Sequence, residues 1–221
     1  MRWKFILGLL TTCAVLMSMS YTMLIPFLPM YLIQDLGVVK ADVDMWSGAI
    51  FAITFLVSGI MAPIWGALAD KKSRKLMALR AGFCLAITYF LGGLVTNPWE
   101  LLGVRFIQGL SAGLWPALLA IISVESPKLK LGFCMGVMQG GMTAGGVLGP
   151  LFGGLLADQF GMRMAFFIAA AALFLITLAL LFFVKEEPRK PAPNAKPVKI
   201  WDFSLCKIPA VKRMLICAGV V

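Results

Sequence analysis

Few residues in this chain can bind, relay protons or hold charge where the surroundings are apolar. Arg105 lies inside the run "LLGVRFIQGL", with Gln108 three positions on. An arginine at the centre of a membrane helix costs roughly 2.5–3.5 kcal/mol to insert, so such a residue normally faces protein or a water-filled cavity. On a helix Arg105 and Gln108 share a face, with Ala112 and Trp115 further along it. The competing reading is that Arg105, close after Glu100, reaches back to the membrane interface along its own stem. No carboxylate lies deep in any apolar run. Asp35, at the end of the first run, comes nearest. A proton-carrying acid is therefore Asp35, Asp70 or a residue outside this chain. A guanidinium beside a carboxylate favours its ionised form and releases that effect on withdrawal. Arg105 and Asp35 are thus the candidates for proton coupling.

The stretch "GALADKKSRKLMALR", residues 66 to 80, is a basic island carrying Lys71, Lys72, Arg74, Lys75, Arg80 and one acid, Asp70. Asp70 ends an apolar helix, where unpaired carbonyls make a carboxylate unfavourable. It needs a cation or the N-terminus of another helix in compensation. The cations at 71, 72, 74 and 75 suit anionic lipid headgroups, each worth about 1 kcal/mol near the surface. In the first apolar run Met17 stands one turn before Tyr21, with Pro26 and Pro29 beyond. Together with Gln108 and Trp115, that thioether-and-aromatic face is the candidate wall for a bulky apolar ligand. Packing is the plainer use of such residues.

Two glycine series run through residues 131–157. Gly132, Gly136 and Gly140 step by four, and so do Gly141, Gly145, Gly149 and Gly153. Small residues at this spacing let membrane helices approach closely. Pro150 removes one helical hydrogen bond and predicts a bend. Gly145, Gly149, Pro150, Gly153 and Gly154 therefore mark a tightly packed, kinked gating helix.

The elements that position these residues follow from composition. The 221 residues are 61% hydrophobic and 14% charged, with a mean hydropathy of +0.93. Soluble domains carry about a quarter charged residues, so the excess apolar surface belongs in a lipid bilayer. Six runs are long enough to cross one as helices: Phe5–Leu32, Met45–Ala69, Leu76–Thr96, Leu101–Val124, Leu131–Ala157 and Ala165–Val184. No period-2 alternation of a barrel strand occurs. The first run continues too far for a signal peptide, and no small-x-small cleavage site follows it. With the N-terminus inside, Arg2, Lys4, the basic island, Lys128, Lys130 and every cation from Lys185 onward fall on one side. Lys40 and Arg163 fall on the other. This positive-inside bias predicts a cytoplasmic-membrane protein with a cytoplasmic N-terminus, and it accounts for the net charge of +10 without nucleic acid. The chain has no histidine, and its five cysteines form no CxxC pair, which argues against metal sites and disulfides. No phosphate loop, catalytic triad or carboxylate pair points to an enzyme, and no cofactor is expected.

Residues 1–184 therefore read as a six-helix unit. The Pro-rich segment 185–207 reads as a cytoplasmic linker. Residues 208–221 read as the start of a seventh span, too short to cross alone. A repeat is also visible. "PIWGALAD" from Pro63 and "PLFGGLLAD" from Pro150 align at a constant offset from Gly66/Gly154 to Ser73/Gly161. The first copy ends the second span and the second ends the fifth, on opposite membrane faces. That predicts two three-helix units related by inversion.

Three stretches carry a family resemblance across the chain. "GALADKKSRKLMALR" resembles the loop signature of the major facilitator superfamily. "LLGVRFIQGLSAG" resembles its fourth-helix pattern, and "GGVLGPLFGGLLAD" the fifth-helix pattern of its twelve-span drug:proton antiporters. Ser73 departs from the glycine usual in the loop signature. The resemblance implies an all-α membrane protein, here the N-terminal six-helix half with 3+3 inverted repeats. It implies efflux of small amphipathic compounds in exchange for protons. Gly66, Asp70 and Arg74 would form a conformational latch against a C-terminal half absent from this chain. The alternative is a truncated, non-transporting remnant or an assembly partner; metabolite or sugar symport is disfavoured by the fifth-helix pattern. Substrate identity is not written in the sequence.

Overall fold

A computed structural model describes residues 2–184 apart from Lys72, leaving aside the side chains of Arg2, Ala67, Asp70 and Lys71. The expected linker, 185–207, and seventh-span start, 208–221, lie outside the described residues. Among the described residues eight α-helices make six spans: α1 (Arg2–Met23) with α2 (Leu28–Gln34), α3 (Val43–Lys71), α4 (Arg74–Leu94), α5 (Pro98–Leu110) with α6 (Leu114–Glu125), α7 (Leu131–Phe160) and α8 (Met162–Phe183). No strand occurs among the described residues.

Cross-contacts fix which ends share a membrane face. The Phe5 and Phe183 rings meet at 5.3 Å, and Lys75 Nζ donates to the Leu181 carbonyl at 2.7 Å. At the other face Arg163 Nε pairs with Asp35 Oδ1 at 3.2 Å, and Arg163 Nη2 donates to the Val95 carbonyl at 3.4 Å. The spans therefore alternate. Lys75, read from the sequence as a headgroup anchor, thus also donates to a carbonyl in the last turn of α8.

Packing follows the inverted repeat. Span 1 lies along span 5 through α1 and α7, span 2 along span 4 through α3 and α5, and span 3 along span 6 through α4 and α8. Exchanging the two three-span units maps the first pair onto the second and the third onto itself. A one-turn 3₁₀ helix precedes each middle span, Lys40–Asp42 before α3 and Lys128–Lys130 before α7. The leading span of each unit is broken.

Those breaks are a departure from the sequence reading, which drew spans 1 and 4 as continuous. In span 1 helix stops at Met23 and resumes at Leu28, around Pro26. In span 4 it stops at Leu110 and resumes at Leu114. Gly113 there takes φ 119°, a backbone region that favours glycine. Pro116 lacks the N–H that the Ala112 carbonyl would otherwise receive.

The glycine series part company. A Cβ on Gly145 would strike the Val15 carbonyl; on Gly149 it would lie 2.7 Å from the Met19 carbonyl, and on Gly153 2.8 Å from that of Met23. Span 5 thus rests on the backbone of span 1. Among the described residues nothing stands within 4 Å of a Cβ at Gly132, Gly136 or Gly140, so the close packing seen there belongs to the second series. Helix α7 runs unbroken through Pro150.

Candidate functional site

Two clefts open beside span 4. The larger, about 580 Å³, has Met17 and Tyr21 of α1 on one wall and Gln108 of α5 with Trp115 of α6 on the other. Thr54 and Phe55 of α3 and Met142 of α7 also line it. The four residues singled out from the sequence thus border one space, brought together by the packing of spans 1 and 4 around it. The lining is mostly apolar and no carboxylate contributes to it. Tyr21 sets its ring edge-on to Phe55 at 6.2 Å, and its hydroxyl is buried without a partner among the described residues.

Arg105 stands behind this wall. It is 4% exposed, which rules out the reach to the interface considered from the sequence. Its Nη1 donates to Gln108 Oε1 at 2.9 Å. Its Nη2 has no partner among the described residues. The gap beside it, walled by Tyr89, Leu101 and Phe166, is too small for a water molecule. Gln108 borders both that gap and the cleft, so the guanidinium meets the cleft through Gln108. The Thr54 hydroxyl donates to the Ile50 carbonyl of its own helix at 2.9 Å and lies 3.4 Å from the Arg105 backbone carbonyl, where span 2 meets span 4. Tyr89 closes the other side, donating its hydroxyl to the Ser20 carbonyl at 2.8 Å.

Asp35 is not brought to Arg105. It pairs with Arg163 at the face opposite the N-terminus, with the two side chains 27% and 43% exposed respectively. The structure therefore separates the two residues named together for proton coupling.

The second cleft, about 380 Å³, lies toward the face carrying the N-terminus. Gly66, Arg74 and Arg80 line it with Trp65, Ala112 and Gly113. Ser58, Ala112, Gly113 and Pro116 border both clefts, so the break in span 4 divides one trench in two. Gly66 and Arg74, named as latch residues, share this wall. Asp70 falls in the last turn of α3, and its side chain lies outside what the structure describes.

Sequence reasoning missed the support of the break. Trp65 Nε1 donates to the Leu110 carbonyl at 2.8 Å, and Arg80 Nη2 to the Ala112 carbonyl at 3.0 Å. The guanidinium carbon of Arg80 lies 3.4 Å from the Trp65 ring centroid. Arg80, counted from the sequence among the cations of the loop, is in fact half-buried within α4. The signal available was Gly113 three residues before Pro116.

Six spans in two inverted units, both leading spans broken and the break of span 4 beside a trench, define a polytopic membrane protein built on a transporter architecture. The Major Facilitator Superfamily family model matches residues 10–217, and the chain belongs to that superfamily. It is 42% identical over 186 residues to the Multidrug resistance protein MdtG of Citrobacter koseri and 40% identical over 187 residues to that of Yersinia enterocolitica. These matches cover 84% of this chain and 46% and 45% of those proteins, so the chain spans about half the length of the curated relatives it matches. Among solved structures, a bacterial homologue of the human lysosomal transporter Spinster superposes with a TM-score of 0.72 at 22% identity, over 93% of this chain and 48% of that one. The POT family transporter PepTSo gives 0.72 at 14% identity, over 85% and 39%. Both share the fold.

Proposed function

We propose that this chain forms the N-terminal half of a secondary multidrug efflux transporter of the bacterial inner membrane, exporting small amphipathic compounds in exchange for protons. The carrying observation is the 580 Å³ cleft, mostly apolar and partly aromatic, with Gln108 and the hydroxyl side chains of Ser18, Thr22, Ser58 and Ser111 among its few polar residues. Such a surface holds flexible, mostly apolar ligands through area and orients them through few hydrogen bonds. Identity to proteins named for multidrug resistance supports the same reading. A second six-span half would close the trench, and rocking of the halves would expose it alternately to each side.

In this reading Met17, Tyr21, Gln108 and Trp115 touch substrate. Arg105 acts on the proton through the Gln108 bond and its free Nη2, and Asp35 is a carrier on the outer face. Gly66, Asp70 and Arg74 latch the halves on the cytoplasmic side. Gly145, Gly149, Pro150, Gly153 and Gly154 hold the gating helix against span 1. The proton gradient supplies the energy, and no bound cofactor takes part.

The test is reconstitution into vesicles with an imposed pH gradient. The 221-residue chain alone inserts without moving an amphipathic dye such as ethidium. The chain joined to a second six-span half of the superfamily accumulates the dye only while the gradient lasts. Dye transport by the chain alone, or transport by the joined protein indifferent to the gradient, overturns the proposal.

A further inference from the structure

The break in span 4 leaves the Leu110, Ser111 and Ala112 carbonyls without a backbone donor among the described residues, and the first and last of them are served by side chains of other spans. Within the membrane an unsatisfied carbonyl costs several kcal/mol, so non-helical backbone persists there only when protein or cavity water supplies partners. The Leu110 carbonyl is served from span 2 by Trp65, and the Ala112 carbonyl from span 3 by Arg80. The two donors are locked to each other by the 3.4 Å stack of guanidinium on indole. Lysine would keep the charge but not the planar fork that stacks and donates together.

The position of this clamp gives it a further role. Gln108 precedes the break and Trp115 follows it, and both face the larger cleft. The angle between α5 and α6 therefore sets how far Trp115 stands from Gln108 across the cleft wall. We propose that Arg80 and Trp65 are positioning residues for the substrate cleft: they fix the break in span 4 and so place Trp115 and Gln108 for the ligand. Neither lines the larger cleft, and both line the neighbouring one, where they touch the dividing segment from behind. The ligand's place in that cleft rests on the function proposed above. The clamp's effect on Trp115 can be read without any substrate, so failure of the transport reading leaves the measurement intact.

The experiment uses the 221-residue chain in lipid nanodiscs, labelled with 5-fluorotryptophan, with the Trp115 resonance assigned by Trp115→Phe. Trp65→Phe keeps an aromatic face for Arg80 and removes the N–H together with part of the indole's area. Arg80→Ala removes both the donor and the stack, and Arg80→Lys restores charge and one donor. Trp65→Phe and Arg80→Ala are expected to displace and broaden the Trp115 signal, with Arg80→Lys intermediate. Amide exchange over residues 110–116 should accelerate by about tenfold, as the loss of one hydrogen bond from a charged group permits, while α8 keeps its protection. A Trp115 signal unmoved by Trp65→Phe and by Arg80→Lys overturns the proposal, whether or not Arg80→Ala folds. Exchange that rises evenly throughout the bundle overturns it as well, because that is the mark of general stability and not of positioning.

Discussion

Gly149 of span 5 stands directly against the Met19 carbonyl of span 1: a Cβ added to it would lie 2.7 Å away, with the Thr22 side chain also in its path. Backbone cannot yield as the end of a side chain can. Gly149→Ala is therefore expected to destabilise the bundle by about 1–3 kcal/mol, the usual cost of overpacking. Gly136→Ala, on the same helix with nothing within 4 Å, should cost nothing measurable and provides the control. Thermal unfolding in one detergent, followed by helical ellipticity, distinguishes them. Equal midpoints for the two variants contradict the packing assigned to span 5.

That contrast shows what a sequence carries and what it does not. Both glycine series repeat every four residues, and periodicity assigns each a face. It does not say which face meets another helix, because that depends on the partner's backbone. The six spans are legible because hydropathy alone decides them. The inverted repeat is legible because Gly66 and Gly154 begin matching stretches. The break in span 4 is not, since apolar character runs straight through Ser111–Gly113, and its donors, Trp65 and Arg80, are remote in the chain. The cleft lies between these cases. Met17 with Tyr21, and Gln108 with Trp115, could each be placed on a face. That the two faces border one space became visible only once spans 1 and 4 were packed. Arg105 and Asp35 are named together on chemistry alone, and in the fold Asp35 pairs with Arg163 while Arg105 bonds Gln108.

Orientation follows from the distribution of cations. Single cysteines introduced at Lys40 or Asn97, in a chain freed of its native cysteines, are expected to react with an impermeant maleimide added to intact cells. Those at Lys72 or Pro193 should react only after the membrane is permeabilised. The positive-inside bias predicts this arrangement. Labelling at Lys72 in intact cells would reverse the orientation, and with it every statement about which face holds the latch.

The latch prediction turns on charge rather than shape. Asp70 falls in the last turn of α3, one turn beyond Gly66. In the chain joined to a second six-span half, Asp70→Asn keeps the size of the side chain and removes its charge. Transport is expected to fall several-fold while insertion, judged by protease protection, stays normal. An unchanged initial rate of dye efflux reduces Asp70 to an ordinary carboxylate in a loop.

Arg105 offers the sharpest test of coupling. It is buried, donates one hydrogen bond to Gln108, and keeps Nη2 without a partner among the described residues. Removing it leaves the Gln108 oxygen without its donor and the protein without a buried cation at this level of span 4. In the joined protein Arg105→Ala should abolish uphill efflux, because nothing then links ligand occupancy to a carboxylate's proton. Downhill equilibration of the dye should survive, since Met17, Tyr21 and Trp115 are untouched. Arg105→Lys keeps the charge and loses the fork, and should retain a fraction of uphill transport. Substrate-induced pH change in vesicles, measured beside counterflow, separates the two activities. If Arg105→Ala still exchanges protons for substrate at the original rate, the residue serves packing, its hydrogen bond to Gln108 is a structural tie, and the proton path runs elsewhere.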